Sequence, residues 1–172
     1  MSKLTQAAIS ALGLGFSLIA FGASAHEHAH HDRVDYTAQL IAATPAKNLT
    51  VEQCWIRLLP SHLPSAGYFV IHNHSDQAVE VLAAATPSYD EVMLHETVEE
   101  DGMTKMQMAD SLSVAAKSSL SFKPGGLHAM FEQPTGELKV GDTMPMELLF
   151  SGEQKLSVNC KVNAAKARAF DS

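Results

Sequence analysis

Between residues 50 and 162 the apolar positions occur in short runs that are typical of strands. Residues 66–73 (AGYFVIHN) are almost continuously apolar, as in a buried strand, whereas residues 89–98 (YDEVMLHETV) alternate between apolar and polar positions. Turn-forming pairs, of which Asp101-Gly102 is the clearest, separate the runs. No amphipathic pattern of normal helical length interrupts them. The chain therefore predicts a single all-β domain, an antiparallel sandwich or barrel.

A short apolar segment near the N-terminus predicts export. Residues 11–20 read ALGLGFSLIA, which is too short to span a bilayer comfortably, and the Ala-Ser-Ala sequence at 23–25 fits a signal-peptidase site. We therefore predict a signal peptide over residues 1–25, with an uncleaved N-terminal anchor as the alternative. No other stretch is apolar enough to span a membrane, so no stable membrane insertion is expected after cleavage.

The remaining chain divides into three parts by composition. Residues 26–49 comprise a His-rich stretch (HEHAHHDRVD), which we expect to be disordered, and a lead-in with turn-forming residues. The folded domain is predicted over residues 50–162. Residues 163–172 (NAAKARAFDS) are expected to form a loose C-terminal tail.

Charge and motif content narrow the classes of function. The formal net charge is −7, and the sequence has no basic stripe. Nucleic acid and anionic membranes are therefore poor candidates for partners. Neither G-x-S-x-G nor H-E-x-x-H occurs, so hydrolase chemistry has no support, and we expect a protein that is not an enzyme.

The two cysteines, Cys54 and Cys160, leave two possibilities open. They do not form a CxxC motif, so a thioredoxin-like thiol mechanism is unsupported. In an oxidising compartment they can form a disulfide, and the alternative is two separately buried thiols. Neither cysteine has a histidine beside it in the sequence, which argues against a blue-copper centre with a thiolate and two imidazoles.

The most informative side chains are histidines and methionines at strand spacing. In the run His128-Ala129-Met130 the first and third residues point to the same face of a strand, so one metal ion could bind both. The predicted hairpin over residues 89–109 supplies a second set, because its turn lets His95 approach Met103 or Met106, depending on the register.

Two imidazoles and two thioethers form a soft, uncharged ligand set. Such a set suits Cu(I). Zn(II) prefers a ligand set that includes thiolates or carboxylates, and Cu(II) prefers a tetragonal site of nitrogen and oxygen ligands. Taken singly, a methionine on a strand is more often core packing and a histidine more often a hydrogen-bonded residue. The prediction of a Cu(I) site therefore depends on the combination.

This combination resembles the family of PCu(A)C-type periplasmic copper chaperones. The spacing H-x10-M-x21-H-x-M of that family is present at His95, Met106, His128 and Met130. The surrounding sequence also matches the pattern of that family over residues 51–162, in the segments CWIR, AGYFVIHN, LHETVEEDGMTKMQ, KPGGLHAMF and GDTMPMELLF. A pattern of this length at fixed spacing is far more specific than an isolated H-x-M.

The resemblance implies a cupredoxin-like Greek-key β-sandwich in the periplasm that carries Cu(I) for assembly of the copper A centre of cytochrome c oxidase. The implied partners are the copper subunit of the oxidase and a thioredoxin-like copper assembly factor, and a monomer is expected. His95, Met106, His128 and Met130 carry over as the copper ligands. Met93 and Met108 lie outside the signature. They could lie beside the ligands without binding the metal or pack in the core, and we favour core packing for both.

The His-rich stretch is not required by this signature. If cleavage follows residue 25, His28 becomes the third residue of a free amino terminus, which can form a square four-nitrogen set for Cu(II) together with two backbone amides. His26, His30 and His31 could compete for the same ion. We hypothesise a secondary Cu(II) site in this tail, and the alternative is a weak, unspecific polyhistidine tract. The extra capacity also supports a second function, periplasmic copper buffering and tolerance.

Overall fold

The computed structural model of the protein describes residues 35–109 and 112–170. In these ranges the chain forms one short helix, α1 (Thr37–Ala42), and otherwise strands and their connections. The strands are β1 (Thr44–Pro45), β2 (Leu49–Arg57), β3 (Ser65–Asn73), β4 (Val79–Ala85), β5 (Tyr89–Glu100), β6 (Met103–Met108), β7 (Ser113–Val114), β8 (Ser118–Phe122), β9 (His128–Pro134), β10 (Thr143–Phe150) and β11 (Gln154–Asn163). The all-β class predicted from the alternating pattern is confirmed.

The strands pair in the order β6-β5-β9-β3-β2-β11-β10-β4-β7, with β1 beside β11 and β8 beside β3. Most neighbours are antiparallel, but β11 pairs in parallel with β1 and with β2. The predicted antiparallel sandwich therefore describes most strand pairs, and the two pairs of β11 with β1 and β2 are the exceptions. Both β1 and β2 are far from β11 in sequence, and a long connection leaves two strands free to run in the same direction, which a hairpin does not.

One hydrophobic core fills the space between the inward faces of these strands. Phe69 stacks on Phe122 with ring centroids 4.3 Å apart, and Phe131 and Phe150 are fully buried. On β9 the inward positions are Ala129 and Phe131, so the alternate residues point away from the core.

Gly67 lies where β3 passes closest to this core. A Cβ atom at Gly67 would be 2.6 Å from Cε2 of Phe131 and 3.1 Å from Cδ1 of Ile56, and both side chains are fully buried. We expect Gly67→Ala to lower the free energy of unfolding by about 1–3 kcal/mol, because a packed core cannot accept the extra methyl group. Urea denaturation measures this loss. Gly136→Ala is the control, since a Cβ there meets nothing within 4 Å; equal effects of the two changes would contradict the packing.

The two cysteines form a disulfide, which decides between the two possibilities left open by the sequence. Cys54 on β2 and Cys160 on β11 are bonded across neighbouring strands, 106 residues apart in the chain, and both are buried. The bond therefore joins an early strand to the last one.

The folded unit extends beyond the predicted limits of 50 and 162. Helix α1 lies in the predicted lead-in, yet its Leu40 packs with Ala43 and Leu149 in a small buried cluster. At the other end Ala167 packs against the cluster of Trp55 and its neighbours, so the C-terminal segment is not wholly loose. These contacts are tertiary and leave no periodic signal in so short a segment.

Two predictions concern residues that the structure does not describe. The signal peptide at 1–25 and the histidines of the tail, at positions 26, 28, 30 and 31, lie outside the described ranges. Within those ranges, no helix is both long and apolar enough to cross a lipid bilayer.

Candidate metal centre

Three neighbouring strands, β6, β5 and β9, present the histidines and methionines on one outward face. His95 on β5 lies directly opposite His128 on β9 and, on its other side, directly opposite Met108 on β6. Directly paired residues point to the same face of a sheet, so these three side chains form one row across the strands. The two imidazole rings are 6.0 Å apart between centroids and meet edge to face.

The remaining methionines lie in the rows on either side. Met106 is paired with Thr97, two residues along β5 from His95, and Met130 on β9 is paired with Met93 on β5. Because residues two apart on a strand share a face, Met93, Met106, Met108 and Met130 lie on the same face as the two imidazoles. Met106 is 57% exposed, whereas Met93 and Met130 are half-buried.

Each histidine has a thioether sulfur against its Nε2 atom. The Sδ atom of Met106 is 3.2 Å from Nε2 of His128, and the Sδ atom of Met108 is 2.9 Å from Nε2 of His95. The lone pairs of these atoms therefore converge on the outward face, where a metal ion could enter among them.

A turn before β9 fixes the orientation of His128. Its Nδ1 atom lies 2.9 Å from the carbonyl oxygen of Gly126, and the same oxygen accepts the backbone N–H of Thr97 at 3.2 Å. With Nδ1 donating to this carbonyl, the lone pair is on Nε2, the atom that faces Met106. This positioning role of Gly126 was not predicted; the only local signal for it is the turn-forming run Pro124-Gly125-Gly126 just before His128.

His95 is poised as a neutral ligand. Burial of the ring lowers the pKa of His95 below its ordinary value of 6.5, and repulsion from His128 lowers the pKa further. The neutral imidazole, which has a free lone pair, is therefore favoured at neutral pH. The Nδ1 atom of His95 is buried and has no hydrogen-bond partner, so no hydrogen bond at that atom fixes the orientation of the ring.

The donor groups at this centre are imidazoles and thioethers, and among the described residues no carboxylate or thiolate completes a metal site with them. In residues 35–109 and 112–170, no group of three or more His, Cys, Asp or Glu side chains converges as a metal site. The cysteines are bonded to each other, so neither offers a thiolate. The arrangement suits a soft cation with a preference for sulfur and imidazole, and Cu(I) is such a cation.

The structure brings together the four side chains predicted as ligands, and it corrects two details. Met108 was expected in the core, yet it is 47% exposed and contacts His95, because its alternation on β6 places it on the outward face with Met106. Met103 was an alternative partner of His95, but it is paired with Glu100 and lies on the other face of β6.

Comparisons with known proteins identify the family of this chain. The model of the family described as "LpqE-like: Putative lipoprotein LpqE-like" matches residues 49–162. "Putative lipoprotein Lxx21020" of Leifsonia xyli subsp. xyli is 32% identical over 114 residues, which cover 64% of this chain and 68% of that one. "Uncharacterized protein RP573" of Rickettsia prowazekii is 26% identical over 99 residues, and these span 57% of this chain and only 55% of the relative's length.

Several solved structures share the fold. The solution structure of CuI-DR1885 from Deinococcus radiodurans is 29% identical, with a TM-score of 0.54, over 70% of this chain and 80% of that one. The apo PCuAC domain of PmoF2 has a TM-score of 0.59 over 72% of this chain and 95% of that domain; at 18% identity it supports the fold alone. The resemblance predicted from the signature spacing is thus confirmed, as is the cupredoxin-like β-sandwich. The chain belongs to the LpqE-like family and has the fold of the PCuAC domains.

Proposed function

We propose that this protein is a periplasmic metallochaperone that binds one Cu(I) ion through His95, Met106, His128 and Met130. The observation that supports the proposal most strongly is the contact of Met106 Sδ with His128 Nε2 beside the ring of His95, on one outward face. The ligand set is soft and uncharged, as Cu(I) prefers. The solved structures of relatives named as Cu(I) and copper-bound forms add support.

The exposure of the site suits a carrier better than a permanent metal centre. Met106 is 57% exposed on the outermost strand of the sheet order, so an acceptor can approach the ion from solvent. Exchange then proceeds by replacement of one ligand at a time. The half-buried Met130 and the buried His128 would hold the ion until the last step.

The proposed destination is the copper A centre of cytochrome c oxidase, reached directly or through a thioredoxin-like copper assembly factor. This part of the proposal is supported by the resemblance in signature spacing. It is tested by mixing Cu(I)-loaded protein with the soluble copper-binding domain of the oxidase subunit and following the metal by chromatography. Transfer to that domain is expected, and retention of all copper by this protein, with the assembly factor present, would contradict it.

Periplasmic copper buffering is the second candidate function, and the four tail histidines favour it because sequestration gains from extra capacity. Deleting residues 26–31 should abolish Cu(II) uptake and leave the affinity for Cu(I) unchanged, because the two sites share no residue. Equilibrium dialysis with each ion measures both. Unchanged Cu(II) uptake after the deletion would remove the tail site and with it the main support for buffering.

The lowered pKa of His95 predicts how Cu(I) binding depends on pH. The protonated imidazole cannot bind metal, so the part of the Cu(I) affinity that depends on His95 should be lost only as the pH drops below the ordinary value of 6.5, toward the lower pKa of His95 in the folded protein. Competition titrations with a Cu(I) chelator over this range measure the effect. His62→Gln, at an exposed turn, should leave the profile unchanged. An NMR pH titration of the His95 ring in the metal-free protein isolates this residue; an inflection at or above 6.5 would contradict the lowered pKa of His95.

A further inference from the structure

We propose that Met108, which lies outside the signature, is a further Cu(I) ligand that receives and releases the ion at the rim of the site. The inference rests on the proposed function and adds an element to it. Its starting point is the 2.9 Å contact between Met108 Sδ and His95 Nε2, the nitrogen through which His95 would bind metal.

The strand register makes this contact a consequence of the fold. Met108 and His95 are directly paired across β6 and β5, and their Cβ atoms are therefore among the closest across the two strands. Met106 is paired with Thr97, two residues along β5 from His95, and its sulfur contacts His128 instead. The two histidines thus have two different methionines, and His95 has the one that the signature omits.

The position of Met108 suits entry and exit of the ion. Its side chain is 47% exposed on β6, the first strand of the sheet order, whereas His128 is only 8% exposed. A methionine has an unbranched, flexible side chain, so its sulfur can follow an ion over a short distance. Met108 and His95 would hold Cu(I) on one side of the site, and Met106, His128 and the half-buried Met130 would hold it on the other.

The proposed step is a simple ligand exchange. As Cu(I) moves outward, a bond from copper to Met108 Sδ forms and the bond from copper to Met130 or Met106 Sδ breaks. The oxidation state of copper does not change, and no proton is transferred, because a thioether is neutral in both states. An acceptor ligand then replaces Met108, whose side chain is exposed on the outermost strand of the sheet order.

Apolar packing of Met108 against the His95 ring, without metal binding, is the alternative role, and exchange for leucine separates the two. Leucine preserves the apolar volume of methionine but has no sulfur. Met103→Leu is the matched control, because Met103 lies on the same strand, is 61% exposed and points to the opposite face. Neither change removes a buried side chain, so both variants should fold.

The experiment combines carbon-13-labelled methionine methyl groups with Cu(I) titration under anaerobic conditions. On one equivalent of Cu(I), the methyl signals of Met106, Met130 and Met108 should shift and that of Met103 should not. Met108→Leu should weaken Cu(I) binding by roughly tenfold, at the lower end of losses for residues that support a metal site, and Met103→Leu should not weaken it. The role of Met108 alone would be overturned if the Met106 and Met130 methyl signals shift, the Met108 signal does not, and the two variants bind Cu(I) with equal affinity. If no methionine signal shifts, the Cu(I) site itself is wrong.

Discussion

Joint replacement of Met106 and His128 by alanine is expected to abolish tight binding of Cu(I). The change removes the sulfur and the nitrogen that lie 3.2 Å apart at the centre of the site, and it leaves His95 and Met130 without the partners that complete the set. Loss of a residue that merely supports a metal ligand costs about 10- to 100-fold in affinity. Loss of two ligands should exceed 100-fold, or about 2.7 kcal/mol.

Anaerobic competition titration against a Cu(I) chelator measures this loss. The matched control is the double variant Met103→Ala/His62→Ala, which removes one exposed methionine and one exposed histidine away from the centre. Both variants should show the circular dichroism of the native protein. Wild-type affinity in Met106→Ala/His128→Ala would mean that copper binds elsewhere, and buffering by the tail would become the preferred function.

Removal of the disulfide is expected to have the largest effect on stability. Replacement of Cys54 and Cys160 by alanine frees a loop of 106 residues in the unfolded chain and should lower the free energy of unfolding by about 4 kcal/mol. For a domain of this size the midpoint of thermal unfolding should fall by roughly 8–16 °C. Differential scanning calorimetry, with and without reductant, measures the shift.

Wild-type protein in reductant is the control, because it should fall to nearly the same midpoint as the double alanine variant. The disulfide lies between β2 and β11, neither of which contributes a proposed copper ligand, so the folded variant should retain the Cu(I) affinity of the wild type. A midpoint unchanged by both reductant and substitution would contradict a disulfide that cross-links the two ends of the domain.

The local parts of the site could be predicted from the sequence. Period-two alternation placed His128 and Met130 on one face, and the Asp101-Gly102 turn placed β6 beside β5. The signature spacing then predicted that Met106 lies beside them, and its sulfur contacts His128 in the structure. These are properties of a single strand or of one hairpin, and short-range patterns determine them.

The non-local parts could not be predicted in this way. The position of β9 beside β5, which brings His128 opposite His95, joins strands about thirty residues apart, and no pattern within either strand specifies this pairing or its register. The same holds for the role of Met108, which depends on pairing with His95 rather than with Thr97. Packing of Leu40 and formation of the disulfide likewise depend on distant partners.

X-ray absorption at the copper edge of the protein loaded with one equivalent of Cu(I) tests the central claim most directly. The account predicts Cu(I) bound by a mixture of imidazole nitrogen and thioether sulfur, with the sulfur contribution lost in Met106→Ala/His128→Ala. A spectrum with nitrogen and oxygen neighbours alone, unchanged in that variant, would contradict a copper site formed by β5, β6 and β9.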